Sequence, residues 1–368
     1  MKIALVHDHL NQLGGAEKVL FALNDIYKEA PVFTLIHDKE RSNGIFERLP
    51  IQTSFIQKMP FGATHLRWYL SLMPTAFESF DLGGFDVVLS STSAFSKGVI
   101  VGPNTLHICY CHTPTRYLWQ DTHEYVRDLK QNFLIKKFLP LLLTRLRQWD
   151  FEAGQRPDVM IANSRNVQNR IKKYYQRDST VIYPPVEIEN FGIADDLSDY
   201  YLAGGRLVSY KRFDLVVKAF TKTGIKLKIF GTGPEEDKLR KTAGENVEFL
   251  GHVSQEKKAE LYSKCLAFIH PQEEDFGITP VEAMASGRPV IAYNRGGALE
   301  TVVEGVSGTF FDEQIWEALA DLIIRFDPYI YNPLEIRKRA ERFGVERFKQ
   351  EMQEFVALRW NEFARCEL

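Results

Sequence analysis

Glu274 and Glu282 stand eight positions apart and bracket a turn, Phe276-Gly277-Ile278-Thr279. Thr279, Pro280 and Glu282 fit the N-cap, N1 and N3 positions of a short helix, and Gly287 fits its C′ stop. A helix start presents unpaired N–H groups and a partial positive charge, which suits an anion such as a diphosphate. A carboxylate on either side of that anion can accept hydrogen bonds from sugar hydroxyls. The spacing therefore suggests a nucleotide-sugar site, with one carboxylate for a ribose, one for a hexose and backbone amides between them. Thr279-x-x-Glu282 is also a capping box, in which the glutamate only ties the helix start.

Arg206 and Lys211, in Gly204-Gly205-Arg206-Leu207-Val208-Ser209-Tyr210-Lys211, bracket a turn after an expected strand. Two cations there could clamp a diphosphate leaving group, Arg as a bidentate fork and Lys as a point charge. The plain alternative is a pair of solvated surface cations. The chain contains no Asp-x-Asp pair to hold a divalent ion, so the expectation is that protein cations neutralise the leaving group and that no metal or cofactor is needed. Gly14-Gly15 precedes a helix after His7-Asp8-His9, one of which is expected to shape the loop. In Cys109-Tyr110-Cys111-His112-Thr113-Pro114, a strand ends at His112 and Pro114 bars an ordinary helical continuation. Arg116, Tyr117 and Trp119 follow, either lining a site or packing as an aromatic cluster.

The elements that must position these residues read as parallel βαβ units. Strand-length apolar runs (Ile3–Val6, Phe85–Leu89, Leu106–Tyr110, Val159–Ala162 and Val181–Tyr183, then Tyr200–Ala203, Leu227–Phe230, Val247–Leu250, Leu266–His270 and Val290–Tyr293) alternate with helix-length segments. Each half opens with a strand, a glycine turn and an amphipathic helix, about 16–28 in the first and near 213–221 in the second. At 368 residues the chain fits two domains, 1–190 and 191–345, with the boundary near Tyr183-Pro184-Pro185-Val186 and the amphipathic helix 346–362 returning to the first. Net charge is −2, made of +3 over residues 1–190 and −5 over 191–368, which gives no support to polyanion binding. The four cysteines lack zinc-like spacing, and Cys109 and Cys111 share one face of a strand where packing is expected. With no signal peptide at Met1 and no run of 18 apolar residues, the chain reads as cytoplasmic.

Glu274-Asp275-Phe276-Gly277, Glu282-Ala283-Met284-Ala285-Ser286-Gly287 and Pro289-Val290-Ile291 together resemble the signature of the retaining GT4 (group 1) glycosyltransferases. Gly204-Gly205-Arg206…Lys211, with Ser209-Tyr210 where the family often has Pro-Glu, resembles its donor-phosphate motif. Gly14-Gly15-Ala16-Glu17 and Asn163-Ser164 resemble two of its turns, and Cys109–Trp119 resembles bacterial polysaccharide mannosyltransferases. The resemblance implies an α/β protein of the GT-B fold, two Rossmann-like doubly wound domains facing across a cleft, the first for the acceptor and the second for the donor. It implies transfer of a hexose from GDP-mannose, or alternatively a UDP-hexose, to a hydroxyl of a glycan or lipid-linked saccharide in polysaccharide or lipopolysaccharide biosynthesis.

It further implies a front-face mechanism in which a diphosphate oxygen helps deprotonate the attacking hydroxyl. His112, Arg206, Lys211 and Glu274 are the expected catalytic positions: Arg206 and Lys211 hold the leaving group, while Glu274 and His112 contact the hexose. Gly14, Gly15, Gly233, Phe276, Gly277, Ile278, Thr279 and Glu282 are the expected donor-binding positions, with Glu282 on the ribose. A non-catalytic nucleotide-sugar-binding partner subunit is the reading from another class. Residues 130–156, with Lys136, Lys137, Arg145 and Arg147, and residues 58–74 suit either an anionic membrane surface or internal helix packing.

Overall fold

A computed structural model describes residues 1–42, 44–120, 122 and 133–366. The chain divides into two compact units, Met1–Pro184 with Phe348–Leu368, and Pro185–Arg347.

The first unit is built on β1 (Ile3–His7), β2 (Val32–Thr34), β3 (Ile51–Thr53), β4 (Val87–Thr92), β5 (Leu106–Cys111), β6 (Val159–Ala162) and β7 (Thr180–Val181). They pair in parallel in the order β3-β2-β1-β4-β5-β6-β7. Its described helices include α1 (Gly15–Ile26), α2 (Met73–Glu78), α3 (Arg116–Trp119), α4 (Phe133–Ala153) and α5 (Arg165–Tyr175). Parallel strands need crossover connections, which cover both faces of the sheet and make the strands apolar throughout. β1 shows both coverings. Ile3 and Leu5 pack with Val19, Leu20 and Leu23 of α1, while Ala4 and Val6 pack with Met73, Phe77, Leu143 and Leu146.

The second unit repeats the plan with β8 (Tyr201–Gly204), β9 (Leu227–Phe230), β10 (Val247–Gly251), β11 (Phe268–His270), β12 (Val290–Tyr293) and β13 (Gly308–Phe311). All pairs are parallel, in the order β10-β9-β8-β11-β12-β13. Helices α6 (Phe213–Thr223), α7 (Glu236–Thr242), α8 (Gln255–Lys264), α9 (Ile278–Ala285), α10 (Ala298–Thr301), α11 (Trp316–Arg325) and α12 (Pro333–Glu341) connect them. The last helix, α13 (Val345–Cys366), places Phe348, Met352 and Val356 in the core of the first unit, against the cluster that holds Ile3 and Leu5. Their four-residue spacing forms a single helical stripe.

Strand order reverses beside the opening strand of each sheet, between β1 and β4 and between β8 and β11. Ligands of doubly wound sheets settle outside the carboxyl ends of the strands at such a reversal. The first reversal ends in His7 and Ser91, which are paired across the two strands. The second ends in Gly204 and His270.

β7 is Thr180–Val181 where Val181–Tyr183 was expected, β11 begins at Phe268 and not Leu266, and two larger differences stand out. β2, β3 and β13 were not anticipated; β2 and β3 have three residues each, too few for an apolar run to stand out. β4 runs Val87–Thr92 instead of Phe85–Leu89, because its second half, Ser90-Ser91-Thr92, is polar yet fully buried.

Candidate functional site

In the second unit, β8 ends in Gly204-Gly205 and a 3-10 turn, Ser209–Lys211, follows. Gly205 has φ +133°, and a Cβ on it would lie 3.2 Å from the Lys211 ammonium. Lys211 Nζ sits 2.9 Å from Glu274 Oε1, and Gln272 Nε2 donates to the same oxygen at 3.2 Å. Both ion-pair partners are largely buried, at 14% and 18% exposure. Burial alone would push the Glu274 carboxyl up, but the Lys211 charge, His270 and the hydrogen bonds from Lys211 and Gln272 together outweigh it and hold the pKa at about 2. Burial disfavours the Lys211 ammonium too, and Glu274 more than offsets this, so its pKa is raised. The Arg206 side chain is exposed, has no hydrogen bond or ion pair to the described residues, and lies close enough for its charge to oppose that of Lys211. Three of the four expected catalytic residues thus meet at the β8/β11 reversal.

Two contributors there were missed in the sequence. Gly297 N–H donates to the Glu274 carbonyl at 2.8 Å. A Cβ on Gly296 would come within 2.5 Å of that carbonyl, and one on Gly297 within 2.4 Å of Phe276 Cα, so both positions require glycine. His270, at the end of β11, is fully buried, and neither ring nitrogen has a hydrogen-bond partner among the described residues. Burial lowers its pKa to about 4 and keeps it neutral.

Helix α9 corrects the expected cap. Gly277, at φ +88°, is the N-cap, and the helix begins at Ile278, two residues earlier than Thr279-Pro280 would set it. A left-handed residue turns the chain straight into the helix, and glycine adopts that conformation freely. Thr279 therefore lies inside the helix, its buried hydroxyl has no partner among the described residues, and no capping box forms. Gly287, at φ +70°, ends the helix as expected. Glu282 is buried and points toward α8: Oε1 lies 2.9 Å from Lys258 Nζ, and Oε2 accepts from the Tyr262 hydroxyl at 3.3 Å. Neither the cap nor the ribose reading anticipates that brace. Phe276 is buried edge-on against Phe343. Gly233 packs on backbone, since a Cβ there would lie 2.2 Å from the Leu207 carbonyl.

In the first unit, His112 is buried and its Nε2 lies 2.8 Å from Ser91 Oγ. Burial lowers its pKa to about 4, with His7 adding to the shift, so the ring is neutral. The same Ser91 Oγ lies 3.2 Å from His7 Nδ1. Asp8 is the loop shaper of its trio: it accepts from the backbone N–H groups of Ser93, Ala94, Phe95 and Ser96 at 2.6–2.9 Å. Gly14 caps α1, Gly15 is its first residue, and the Gly14 N–H is directed to Glu17 Oε2 at 2.7 Å. A side chain of the protein itself therefore takes the amide that the donor was expected to meet.

The packing alternative holds for several other positions. Trp119 stacks on Tyr174 and donates to Asp150, which also accepts from Thr115 and Tyr175 and pairs with fully buried Lys97 at 2.6 Å. Ser164 is an N-cap, accepting from Val167 N–H at 3.1 Å. Cys109 and Cys111 are buried in one apolar cluster. Leu139, Leu143 and Leu146 of α4 are core residues, and Arg147 donates to the Leu118 carbonyl. Residues 130–132 of the expected basic segment, and the side chains of Lys136 and Lys137, lie outside the described residues.

Residues 13–190 match the family described as Glycosyltransferase Family 4, and residues 196–340 match Glycosyl transferases group 1. The chain is 23% identical to alpha-1,3/1,6-mannosyltransferase ALG2 of Dictyostelium discoideum, over 97% of this chain and 98% of that one. It is 26% identical to GDP-Man:Man(3)GlcNAc(2)-PP-Dol alpha-1,2-mannosyltransferase of Xenopus laevis, over 96% and 85% of the two chains. Among solved structures, Anabaena Alr3699/HepE in complex with UDP superimposes with a TM-score of 0.72 at 20% identity, covering 97% of this chain and all of the other.

Proposed function

The chain belongs to the GT4 (group 1) glycosyltransferases and has their GT-B fold, and on that premise we propose that it transfers mannose from GDP-mannose, with retention, to a hydroxyl of a glycan or lipid-linked saccharide. The observation that carries this reading is the Lys211–Glu274 pair at the β8/β11 reversal, with the guanidinium of Arg206 free beside it. A diphosphate entering there competes with Glu274 for Lys211. Lys211 and Arg206 then neutralise the leaving group as the anomeric bond breaks, without need of a divalent ion. Released from Lys211, Glu274 accepts from hexose hydroxyls, and a departing diphosphate oxygen takes the proton of the attacking hydroxyl. Lys258 yields Glu282 to the ribose. His112 is the hexose contact from the first unit.

Mannose as the transferred sugar is supported by the activities in the names of the two relatives, and GDP-mannose as its donor by the second name. A thermal-shift screen with GDP-mannose, UDP-glucose, UDP-galactose and UDP-N-acetylglucosamine tests it, because a ligand selective for the native state raises the melting temperature. GDP-mannose is expected to give the largest shift. A shift with a UDP-hexose and none with GDP-mannose overturns the donor assignment.

Contact with an anionic bilayer surface, on the cytoplasmic side, belongs to the same proposal. No described helix is long and apolar enough to cross a membrane. Phe61, held at φ +57°, and Trp68 are 64% and 62% exposed and meet edge to face at 5.9 Å. Lys58 and Arg67 flank them, and residues 54–77 contain no acid. Exposed aromatics with basic neighbours suit the headgroup boundary.

A further inference from the structure

We propose that Glu17, His7 and Ser91 form a relay that fixes the tautomer of His112, so that its Nδ1 is presented as a bare acceptor to a hydroxyl of the transferred hexose. Their positions form one buried line at the β1/β4 reversal. Glu17 Oε2 takes the Gly14 N–H at 2.7 Å, and Glu17 Oε1 lies 3.7 Å from His7 Nε2. His7 Nδ1 lies 3.2 Å from Ser91 Oγ, which lies 2.8 Å from His112 Nε2. Glu17, His7 and Ser91 are at most 2% exposed, so water does not compete for these groups.

The direction of the relay follows from proton counting. An ionised carboxylate only accepts, and burial of Glu17 is more than offset by His7 and the backbone amide, so its pKa is lowered and it stays ionised. When the His7 ring carries a single proton, that proton sits on Nε2, facing Glu17 at 3.7 Å, and Nδ1 is a lone pair. Ser91 has one hydroxyl proton and two imidazole neighbours. It donates to His7 Nδ1 and can only accept from His112, whose proton must then be on Nε2. His112 Nδ1 is left without a proton. A bare nitrogen welcomes a hydroxyl and repels a carboxylate, so the relay favours a neutral hexose over a uronic acid at that contact. Glu17, His7 and Ser91 are positioning residues, acting through His112.

The proposal rests on the reading in which His112 meets the hexose, but its central claim is measurable without any donor. In full-length protein labelled with 15N-histidine at about pH 8, two-bond 1H–15N spectra distinguish the two imidazole tautomers. The His112 resonance is assigned by its loss in His112→Asn. The wild type is expected to show the Nε2–H form. Glu17→Gln keeps the Gly14 contact through its carbonyl and turns an N–H toward His7, which reverses every proton along the line and converts His112 to the Nδ1–H form. Turnover should fall about tenfold in that variant, with the donor KM within about threefold. Ser91→Ala cuts the line and should leave His112 a mixture of forms, a second route should Glu17→Gln fold poorly. An Nδ1–H His112 in the wild type overturns the relay. So does an unchanged tautomer in both variants, or a reversed tautomer with undiminished turnover. Tautomers as stated in a wild type that transfers no hexose would uphold the relay and sink the transfer reading instead.

Discussion

Lys211 Nζ and Glu274 Oε1 are 2.9 Å apart, so the cation assigned to the leaving group and the carboxylate assigned to the hexose already hold each other. Breaking that pair on a bare surface would leave a buried charge uncompensated. Under the proposed roles a donor supplies both replacements, a diphosphate for Lys211 and hydroxyls for Glu274. Donor binding is thus an exchange of partners.

A carboxyl with a depressed folded pKa adds stability above its unfolded value, and the gain fades as pH falls through the folded value. For Glu274 that window runs from its ordinary 4.5 down to about 2. The contribution is on the order of 3 kcal/mol when fully present. In urea titrations, the stability gap between wild type and Glu274→Gln should be widest above about pH 5 and less than half as large by about pH 3. A gap that does not vary with pH would remove the ion pair as its cause.

Arg206→Ala separates chemistry from folding, because the Arg206 side chain is exposed and has no partner among the described residues. The melting temperature should stay unchanged, while turnover falls by roughly two to three decades, the effect of losing about 2–4 kcal/mol of leaving-group stabilisation. Lys211→Ala should lose turnover and stability together. Retention of more than about a third of wild-type turnover in either variant excludes that residue from the clamp.

Glu282→Gln tests whether Lys258 yields to a ribose. A charged acceptor replaced by a neutral one should weaken nucleoside diphosphate binding by ~1–2 kcal/mol. Glu274→Gln should spare the bare nucleoside diphosphate and depress transfer. Calorimetric titration of both variants with nucleotide and intact donor decides, and unchanged nucleotide affinity in Glu282→Gln would leave that residue only as the brace on α8.

Chelation is expected to leave transfer intact, since the two cations supply the positive charge otherwise given by a metal. Activity abolished by EDTA and restored by magnesium or manganese would refute this.

Phe61 and Trp68 should carry the membrane contact. Co-sedimentation with phosphatidylglycerol vesicles is expected to exceed that with phosphatidylcholine vesicles and to fall in Phe61→Ser/Trp68→Ser, with the melting temperature unchanged. Equal sedimentation of the double variant and the wild type would exclude this surface.

How far the sequence could be read depended on what each segment buries. Val159–Ala162, Leu227–Phe230 and Val290–Tyr293 are apolar runs between turns, and the strands β6, β9 and β12 have those same bounds. Ser90-Ser91-Thr92 defeated the same rule because a strand end that builds a polar site stays polar while buried. Lys211 and Glu274 were visible because their motifs are long, but their pairing is a tertiary fact. Glu17 figured in the sequence only as the last residue of the Gly14-Gly15-Ala16-Glu17 turn, and only the fold brings it to His7. At α9, Thr279-x-x-Glu282 had the spacing of a cap, yet the positive φ of Gly277 started the helix first.

The return of α13 to the first unit also sets an order of events during synthesis. Residues Pro185–Arg347 are one continuous stretch, so the second unit has its whole core once Arg347 has left the ribosome. The first unit emerges earlier but still lacks Phe348, Met352 and Val356, the stripe that packs with Ile3 and Leu5. Its sheet must wait with one apolar face incompletely covered while the later unit closes, a state prone to aggregation. The half of the protein that is made first is the half that finishes last.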